Sequence, residues 1–280
     1  MTSDKEYPSD QNSLSGSEEL ARQVAELIRL VRSGEEANIQ QAFLLAEDLG
    51  SPPAFQQFLE GLVPLYQLAF RSKREKLDAP SLSKLFQLTQ LNIQGRGLAL
   101  LPESLGALQN LQIFDCSFNQ LQTLPENIGA LQNLQKLYCN YNQLQDLPQS
   151  LGALPNLQVL DCQYNQLQTL PGNLGDLQNL QRLNCHHNPL QALPQSLGQL
   201  QNLQTLDCSY NRLQALPENI GQLHNLQELD CASNQLQVLP ESLAGLPRLK
   251  ELVARKNPLT HVSQALRQKQ GLQLLVDEPK

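Results

Sequence analysis

The chain has 280 residues, and 61 Leu with 39 Gln make up about a third of them. Only 5% of the residues are aromatic and Trp is absent, which is far from the usual spread of residue types in a globular domain. This bias favours an internal repeat. A net charge of -7 argues against nucleic acid as a partner, because binding to phosphate backbones needs clustered Lys and Arg.

The distribution of apolar residues disfavours two further classes, membrane-spanning proteins and proteins with a secretory signal. No stretch approaches the roughly 18 uninterrupted apolar residues of a membrane span. The first residues, 1–8, lack the apolar core of a secretory signal. We therefore expect a soluble, cytoplasmic protein with no membrane partner.

The N-terminal part divides into a tail and a helical module. Residues 1–16 are polar and contain Pro8 and Gly16, which predicts a disordered tail. Over residues 17–80, apolar residues recur every three or four positions, as Leu20, Val24 and Leu27 do. This period predicts a small helical bundle that caps the first repeat of the segment that follows.

Residues 85–260 repeat with a period of 23. Seven Asn, six Cys and seven Pro recur at this spacing, and one weaker unit precedes them with Arg96 in the Asn position. We count about eight repeats. In each LxxLxC stretch, inward residues alternate with outward ones, which is typical of a short strand. The Leu-Pro that follows favours a short helical or 3-10 return. Residues 261–280, with Val262 and Leu266, are predicted to cap the C-terminal end.

The unit LxxLxCxxNxLxxLPxxLGxLxN resembles the leucine-rich repeat, in its 23-residue intracellular and bacterial class, with Cys at the third core position. The resemblance implies an α/β solenoid with a curved parallel sheet and 3-10 or helical turns on the convex face. We expect eight strands, one from each repeat. The family shares a binding architecture and no common chemistry.

Two columns of the repeat are interpreted as structural. A buried Asn amide can satisfy backbone groups that a turning chain leaves unpaired. The Cys occupy a core Leu position, so we expect reduced, buried thiols and neither disulfides nor a metal site. The Asn column is Asn119, Asn142, Asn165, Asn188, Asn211, Asn234 and Asn257, and the Cys column is Cys116, Cys139, Cys162, Cys185, Cys208 and Cys231.

The outward positions of the strands supply the candidate binding residues. Counted from the first Leu of each unit, positions three, five, seven and eight are expected to face solvent on the concave side and its rim. Position five is mostly acidic, and position eight is aromatic in five consecutive repeats; binding and simple duplication of the repeat explain this aromatic stripe about equally well. The candidates are Asp115, Phe118, Tyr138, Tyr141, Asp161, Tyr164, Arg182, His187, Asp207, Tyr210, Glu228 and Asp230.

The favoured function is a non-enzymatic module that binds a protein or peptide on its concave face, and a basic segment is expected to fit that face best. An alternative is a secreted bacterial effector that acts on a host protein. An enzyme that uses the Asp column, such as a glycosidase, is disfavoured because an open sheet offers little desolvation to raise a carboxylate pKa. No cofactor and no small-molecule substrate are expected.

Overall fold

A computed structural model describes residues 16–277. The predicted tail lies outside the described residues except for Gly16, where the first helix begins. The described part of the chain begins with four helices, and the predicted boundary at residue 80 falls inside the last of them. They are α1 (Gly16–Arg32), α2 (Glu36–Asp48), α3 (Pro53–Phe70) and α4 (Ala79–Phe86).

The chain forms two compact units. One comprises residues 16–63 with Arg74–Lys84, and the other comprises Pro64–Lys73 with residues 85–277. In the helical unit, the hydroxyl of Ser83 donates a 2.7 Å hydrogen bond to the Gly34 carbonyl. The second half of α3 and the end of α4 thus belong to the unit that contains the repeats.

The repeats form one parallel sheet of nine strands in sequential order. The expectation of eight strands was one short, because the last strand lies in the segment predicted only as a C-terminal cap. Short helix α5 (Gln264–Arg267) precedes that strand. The strands are β1 (Gln90–Asn92), β2 (Ile113–Asp115), β3 (Lys136–Tyr138), β4 (Val159–Asp161), β5 (Arg182–Asn184), β6 (Thr205–Asp207), β7 (Glu228–Asp230), β8 (Glu251–Val253) and β9 (Gln273–Leu275).

Seven 3-10 turns return the chain between strands, as predicted. In six of them a Pro with a preset φ, between -55° and -69°, immediately precedes the turn. At Gly129 an added Cβ would lie 2.4 Å from the Ser150 carbonyl oxygen, so only glycine permits this close approach of neighbouring turns. The turns are Glu103–Ala107, Glu126–Ala130, Gln149–Ala153, Leu174–Asp176, Gln195–Gln199, Glu218–Gln222 and Glu241–Gly245.

The core of the repeats is a stack of equivalent Leu side chains. Leu137, Leu160 and Leu183 are aligned in register on β3, β4 and β5, and each is almost completely buried. Each repeat buries its apolar side on the repeats before and after it, so the strands depend on their neighbours for stability. This stack positions the outward residues of every strand at the same level.

Candidate binding surface

Positions three and five of the repeat form two parallel columns on the outer face of the sheet. The strand register aligns Lys136 with Val159 and Arg182, and it aligns Tyr138 with Asp161. The residue between each pair points into the core, as the two-residue period requires. The predicted candidates Asp115, Tyr138, Asp161, Arg182, Asp207, Glu228 and Asp230 all lie in these columns.

The acidic residues of position five also have a local structural role. The Asp207 carboxylate accepts hydrogen bonds from the Ser209 backbone N–H at 3.0 Å and from its hydroxyl at 2.6 Å. The Asp230 carboxylate accepts one from the Ala232 N–H at 2.9 Å. Each side chain thereby closes a turn where its strand ends, and one carboxylate oxygen remains without such a bond in both residues.

Four carboxylates gather near the C-terminal end of the sheet: Asp207, Glu228, Asp230 and Glu251, which we call the acidic patch. The register pairs Asp207 with Asp230 and Glu228 with Glu251. Together with Thr205 they line a shallow cavity of about 220 Å³. Within the described residues none of these carboxylates forms a salt bridge, so the patch presents uncompensated negative charge.

Burial raises the pKa of two concave carboxyl groups. Burial is the main cause of the raised pKa of Asp161, and hydrogen bonds from Gln163 lower that pKa. It is also the main cause of the raised pKa of Asp230, to which the neighbouring charges of Asp207 and Glu251 add. The expectation that an open sheet offers little desolvation to raise a carboxylate pKa does not hold at these two residues, since side chains of adjacent strands screen them from water.

The opposite half of the face has a different charge. Lys136 on β3 and Arg182 on β5 are the basic residues of position three, and they flank Val159. The concave surface is therefore not uniformly acidic. It changes from a mixed set on β2–β5, where Lys136 and Arg182 lie among Asp115 and Asp161, to the acidic patch on β6–β8.

The aromatic residues of position eight lie outside the strands and form a continuous stack, which we call the aromatic ladder. Successive ring centroids are 4.3–4.5 Å apart and the ring planes are within 10–14° of parallel. Every member has a left-handed backbone with φ between 50° and 55°. The ladder consists of Phe118, Tyr141, Tyr164, His187 and Tyr210.

Stacking determines which parts of the aromatic ladder are exposed to solvent. Each internal ring has a neighbouring ring on both faces, so along most of the ladder only the ring edges can contact solvent or a partner. Phe118 and Tyr210 at the two ends remain 48% and 44% exposed. The Nζ of Lys256 lies 5.9 Å from the Tyr210 ring centroid.

Stacked aromatic pairs such as those of the aromatic ladder stabilise a structure by about 0.5–1.5 kcal/mol each. This stabilisation offsets part of the cost of the left-handed backbone.

Position seven is exposed, as expected, at Arg255 in the last repeat, but it is buried or half-buried in most of the repeats. Ser117 and Ser209 are buried there. His186 is half-buried; its Nδ1 lies 3.0 Å from the Ser209 hydroxyl, and its ring packs edge-on against Tyr164 and Tyr210. Burial lowers the pKa of His186, whereas Asp207 raises it. These side chains fill the space between the strand ends and the aromatic ladder.

The Asn column forms a hydrogen-bonded ladder inside the repeats. The Asn165 Nδ2 donates to the carbonyls of Cys139, Cys162 and Gln163 at 3.0–3.2 Å. Its Oδ1 accepts from the Leu144 N–H at 2.9 Å. The pattern recurs from repeat to repeat, so each Asn joins its own turn to the preceding repeat.

The six Cys are free and buried. Each thiol lies 3.4 Å from the carbonyl oxygen of a position-five residue in the next repeat, as Cys162 does from Asn184. Burial raises the pKa of every one of these thiols above its ordinary value. The side chains therefore behave as small apolar groups and not as thiolates.

A second Asn ladder was missed in the sequence, although its period of 23 was visible there. These Asn follow the 3-10 turns, and each donates from Nδ2 to a backbone carbonyl of the preceding repeat at 2.7–2.9 Å. The members are Asn110, Asn133, Asn156, Asn179, Asn202 and Asn225. Both Asn ladders hold the repeats in register and leave the concave columns free.

Among residues 16–277, no three His, Cys, Asp or Glu side chains are grouped so as to hold a metal ion. No helix in that part of the chain is long and apolar enough to cross a membrane. A cavity of about 650 Å³ lies in the helical unit between α1 and α2, where Leu27, Leu45 and Leu49 line it.

Comparison with known proteins identifies the repeats. Family models match consecutive parts of the chain: a leucine-rich repeat region at residues 65–163, single and paired leucine-rich repeats at 156–177 and 178–221, and a further leucine-rich repeat model at 201–259. A search of curated proteins found no match.

Solved structures of the same architecture resemble the chain. A leucine-rich repeat protein of Leptospira interrogans is 32% identical with a TM-score of 0.56; the match covers 69% of this chain and 55% of that one. The ectodomain of the Arabidopsis thaliana receptor kinase GASSHO1/SCHENGEN3, solved with CASPARIAN STRIP INTEGRITY FACTOR 2, is 29% identical with a TM-score of 0.62 and coverages of 72% and 28%. The plant peptide hormone receptor RGFR1, solved with RGF2, is 26% identical with a TM-score of 0.54 and coverages of 63% and 34%.

The chain thus spans about half of the bacterial relative and about a third of each plant receptor. The repeat unit, the nine-stranded parallel sheet and the family matches agree. Over residues 65–259 this chain is a leucine-rich repeat protein.

Proposed function

We propose that the chain is a non-enzymatic binding module whose concave face receives a protein or peptide partner. The observation that carries the proposal is the acidic patch, in which four aligned carboxylates form no salt bridge within the described residues. Fixed charge on a rigid sheet attracts an oppositely charged segment at long range and orients it. The partner proposed is therefore basic where it meets β6–β8.

Two further observations support a peptide or protein ligand. The concave columns vary in charge and size on a constant frame, from Lys136 to Glu251. The two plant receptors that resemble the chain were each solved with a bound factor or hormone. We infer the same mode of use here, at the outer face of the sheet. A cytoplasmic location stays a prediction, in keeping with the unpaired thiols.

A matched pair of charge variants tests the proposal. Peptides displayed on phage are selected on the immobilised full chain, and the affinity of a selected peptide is measured for each variant. The concave variant carries Glu228→Gln with Glu251→Gln, and the convex control carries Glu126→Gln with Glu218→Gln. Both variants lose two charges, and all four residues lie on the repeats.

We expect the concave variant to bind the selected peptide about tenfold more weakly and with less dependence on salt, because two rim charges contribute to steering. The convex control is expected to bind as the wild type does. Selection of peptides without basic residues, or loss of binding in the convex control alone, would place the site elsewhere.

A further inference from the structure

The aromatic ladder stops abruptly at its N-terminal end. The residue that precedes Phe118 by one repeat is Gly95, which also has a left-handed backbone, with φ of 66°. Its N–H donates to the Ser117 carbonyl at 3.1 Å, the bond that Phe118 makes one repeat later to Asn140 at 3.0 Å. The backbone of the ladder therefore continues into this repeat, whereas the ring is missing.

The space that the missing ring would occupy is open. A Cβ built on Gly95 meets no atom within 4 Å. Phe118 is 48% exposed, and its only ring contact in the described part of the chain is with Tyr141 on the other face. The side chain of the adjacent Arg96 is turned away into hydrogen bonds with the carbonyls of Leu68 and Asn92.

We propose that this gap is a binding site for an aromatic side chain of the partner, which stacks on the free face of Phe118 above Gly95. The inference rests on the proposed binding function and adds the chemistry of one recognised residue. A flat ring fits the gap because all four stacked pairs of the aromatic ladder share one geometry, with ring centroids 4.3–4.5 Å apart and nearly parallel planes. A partner ring would extend this series by one member.

The site is built on the rigid part of the molecule. Phe118 is held from behind by four further rings, and the Gly95 backbone is held by its hydrogen bond to the next repeat. Asp115, on the strand that leads to Phe118, and Asn92, its neighbour on β1, lie on the adjoining concave surface, where the Asn92 Nδ2 is 3.5 Å from the Asp115 Oδ2. The partner chain would then run along the concave face with its aromatic residue at the β1–β2 end.

A single aromatic amide tests the site directly. The probe is N-acetyl-tryptophanamide, titrated into the ¹⁵N-labelled full chain and followed through amide shifts in NMR spectra. We expect saturable shifts, with a dissociation constant on the order of millimolar for so small a ligand, centred on Gly95, Phe118 and Asn119. N-acetyl-leucinamide is the matched aliphatic probe, expected to bind at least fivefold more weakly.

Two substitutions at Gly95 separate the site from its surroundings. Gly95→Tyr places the protein's own ring in the gap and should weaken the probe at least fivefold. Gly95→Ser leaves the gap open and should bind within twofold of the wild type; Ser233 already occupies the equivalent left-handed position in a later repeat, with φ of 53°. Phe118→Ala removes the stacking surface and should abolish binding of the probe. It serves as the test variant if the Gly95→Tyr protein does not fold.

The proposal is overturned if the probe shifts other residues, if the leucine and tryptophan amides bind alike, or if Gly95→Tyr and Phe118→Ala both retain wild-type affinity. The peptide measurement on the acidic patch is independent of this result. A selected peptide that binds through Glu228 and Glu251 while the gap stays empty would refute the aromatic site alone, whereas binding at the gap with no charge-dependent peptide would refute the basic partner alone.

Discussion

The side-chain oxygen of Asn165 accepts a hydrogen bond from the backbone N–H of Leu144, one repeat earlier, at 2.9 Å. The same amide donates three hydrogen bonds to carbonyls. Asn165→Ala is therefore expected to lower the free energy of unfolding by about 1–3 kcal/mol, because it leaves buried backbone groups unpaired. Chemical denaturation followed by circular dichroism measures the change.

The control for this substitution is Gln166→Ala. Gln166 is the next residue, it is exposed, and only its backbone takes part in the repeat-to-repeat hydrogen bonds. We expect a change below about 0.5 kcal/mol, as at most surface positions. Equal losses in the two variants would refute a special role of the Asn ladder.

The six cysteines are expected to be inert while the protein is folded. All are buried and free, and burial raises their pKa values, so little thiolate is present at neutral pH. Titration with a thiol reagent should detect few reactive groups in the native protein and six in denaturant. Rapid labelling of several native thiols, or disulfides found by mass spectrometry, would contradict the buried arrangement.

Asp161 provides a test of the raised pKa on the concave face. A carboxyl group whose pKa is raised on folding binds its proton more tightly in the native state, so its ionisation costs stability as pH rises above the ordinary value. Asp161→Asn should therefore be slightly more stable than the wild type at pH 7, and the difference should vanish below about pH 3.

The asparagine variant is expected to keep the local turn, because Asn184 holds the same position in the next repeat and accepts from the His186 N–H at 3.2 Å. Asp161→Ala removes the acceptor as well as the charge and should be less stable than Asp161→Asn. Urea unfolding across pH 3–8 distinguishes the two effects. A wild type more stable than Asp161→Asn at pH 7 would show that ionised Asp161 is favourable.

Asp78 shows the opposite sign of pH dependence. Hydrogen bonds from Ser81 lower its pKa to about 2, and Arg74 contributes further. Its carboxylate accepts from the Ser81 N–H at 3.0 Å at the start of α4. Asp78→Ala is expected to cost about 1 kcal/mol at pH 7, the usual loss for such a cap.

The contribution of Asp78 to the free energy of unfolding should be complete above about pH 4 and should disappear as pH falls towards 2. The reason is that the folded protein stabilises only the ionised carboxylate, which is why the pKa of Asp78 is lowered. Unfolding by urea at pH 7, 4 and 2.5 measures it, with Asp78→Asn as the variant that keeps the cap without the charge. An effect of Asp78→Ala that stayed constant over this range would exclude the carboxylate as its source.

The aromatic ladder predicts a difference between its middle and its end. Tyr141 stacks on Phe118 and on Tyr164, whereas Phe118 stacks on Tyr141 alone. At about 0.5–1.5 kcal/mol for each pair, Tyr141→Ala should destabilise the protein about twice as much as Phe118→Ala. Thermal and urea unfolding measure both, and a larger loss from Phe118→Ala would mean that stacking is not the stabilising interaction.

The amino-acid sequence by itself determined the repeat architecture. The period of 23 in Asn, Cys and Pro, with Leu alternating between them, predicted a parallel solenoid with 3-10 turns, because each column must occupy the same place in every repeat. It did not reveal β9, whose segment lacks the Asn, Cys and Pro of the repeat and joins the sheet only because β8 offers an unpaired edge.

Tertiary structure decided the character of the surface. The period of 23 already aligns Glu228 with Glu251 and Asp207 with Asp230, but only the packed strands screen Asp161 and Asp230 from water and so raise their pKa values. The left-handed backbone at position eight brings the rings of the aromatic ladder into one stack, which has an open end at Gly95. Periodicity is a property of one chain segment, whereas charge and exposure depend on which segments become neighbours.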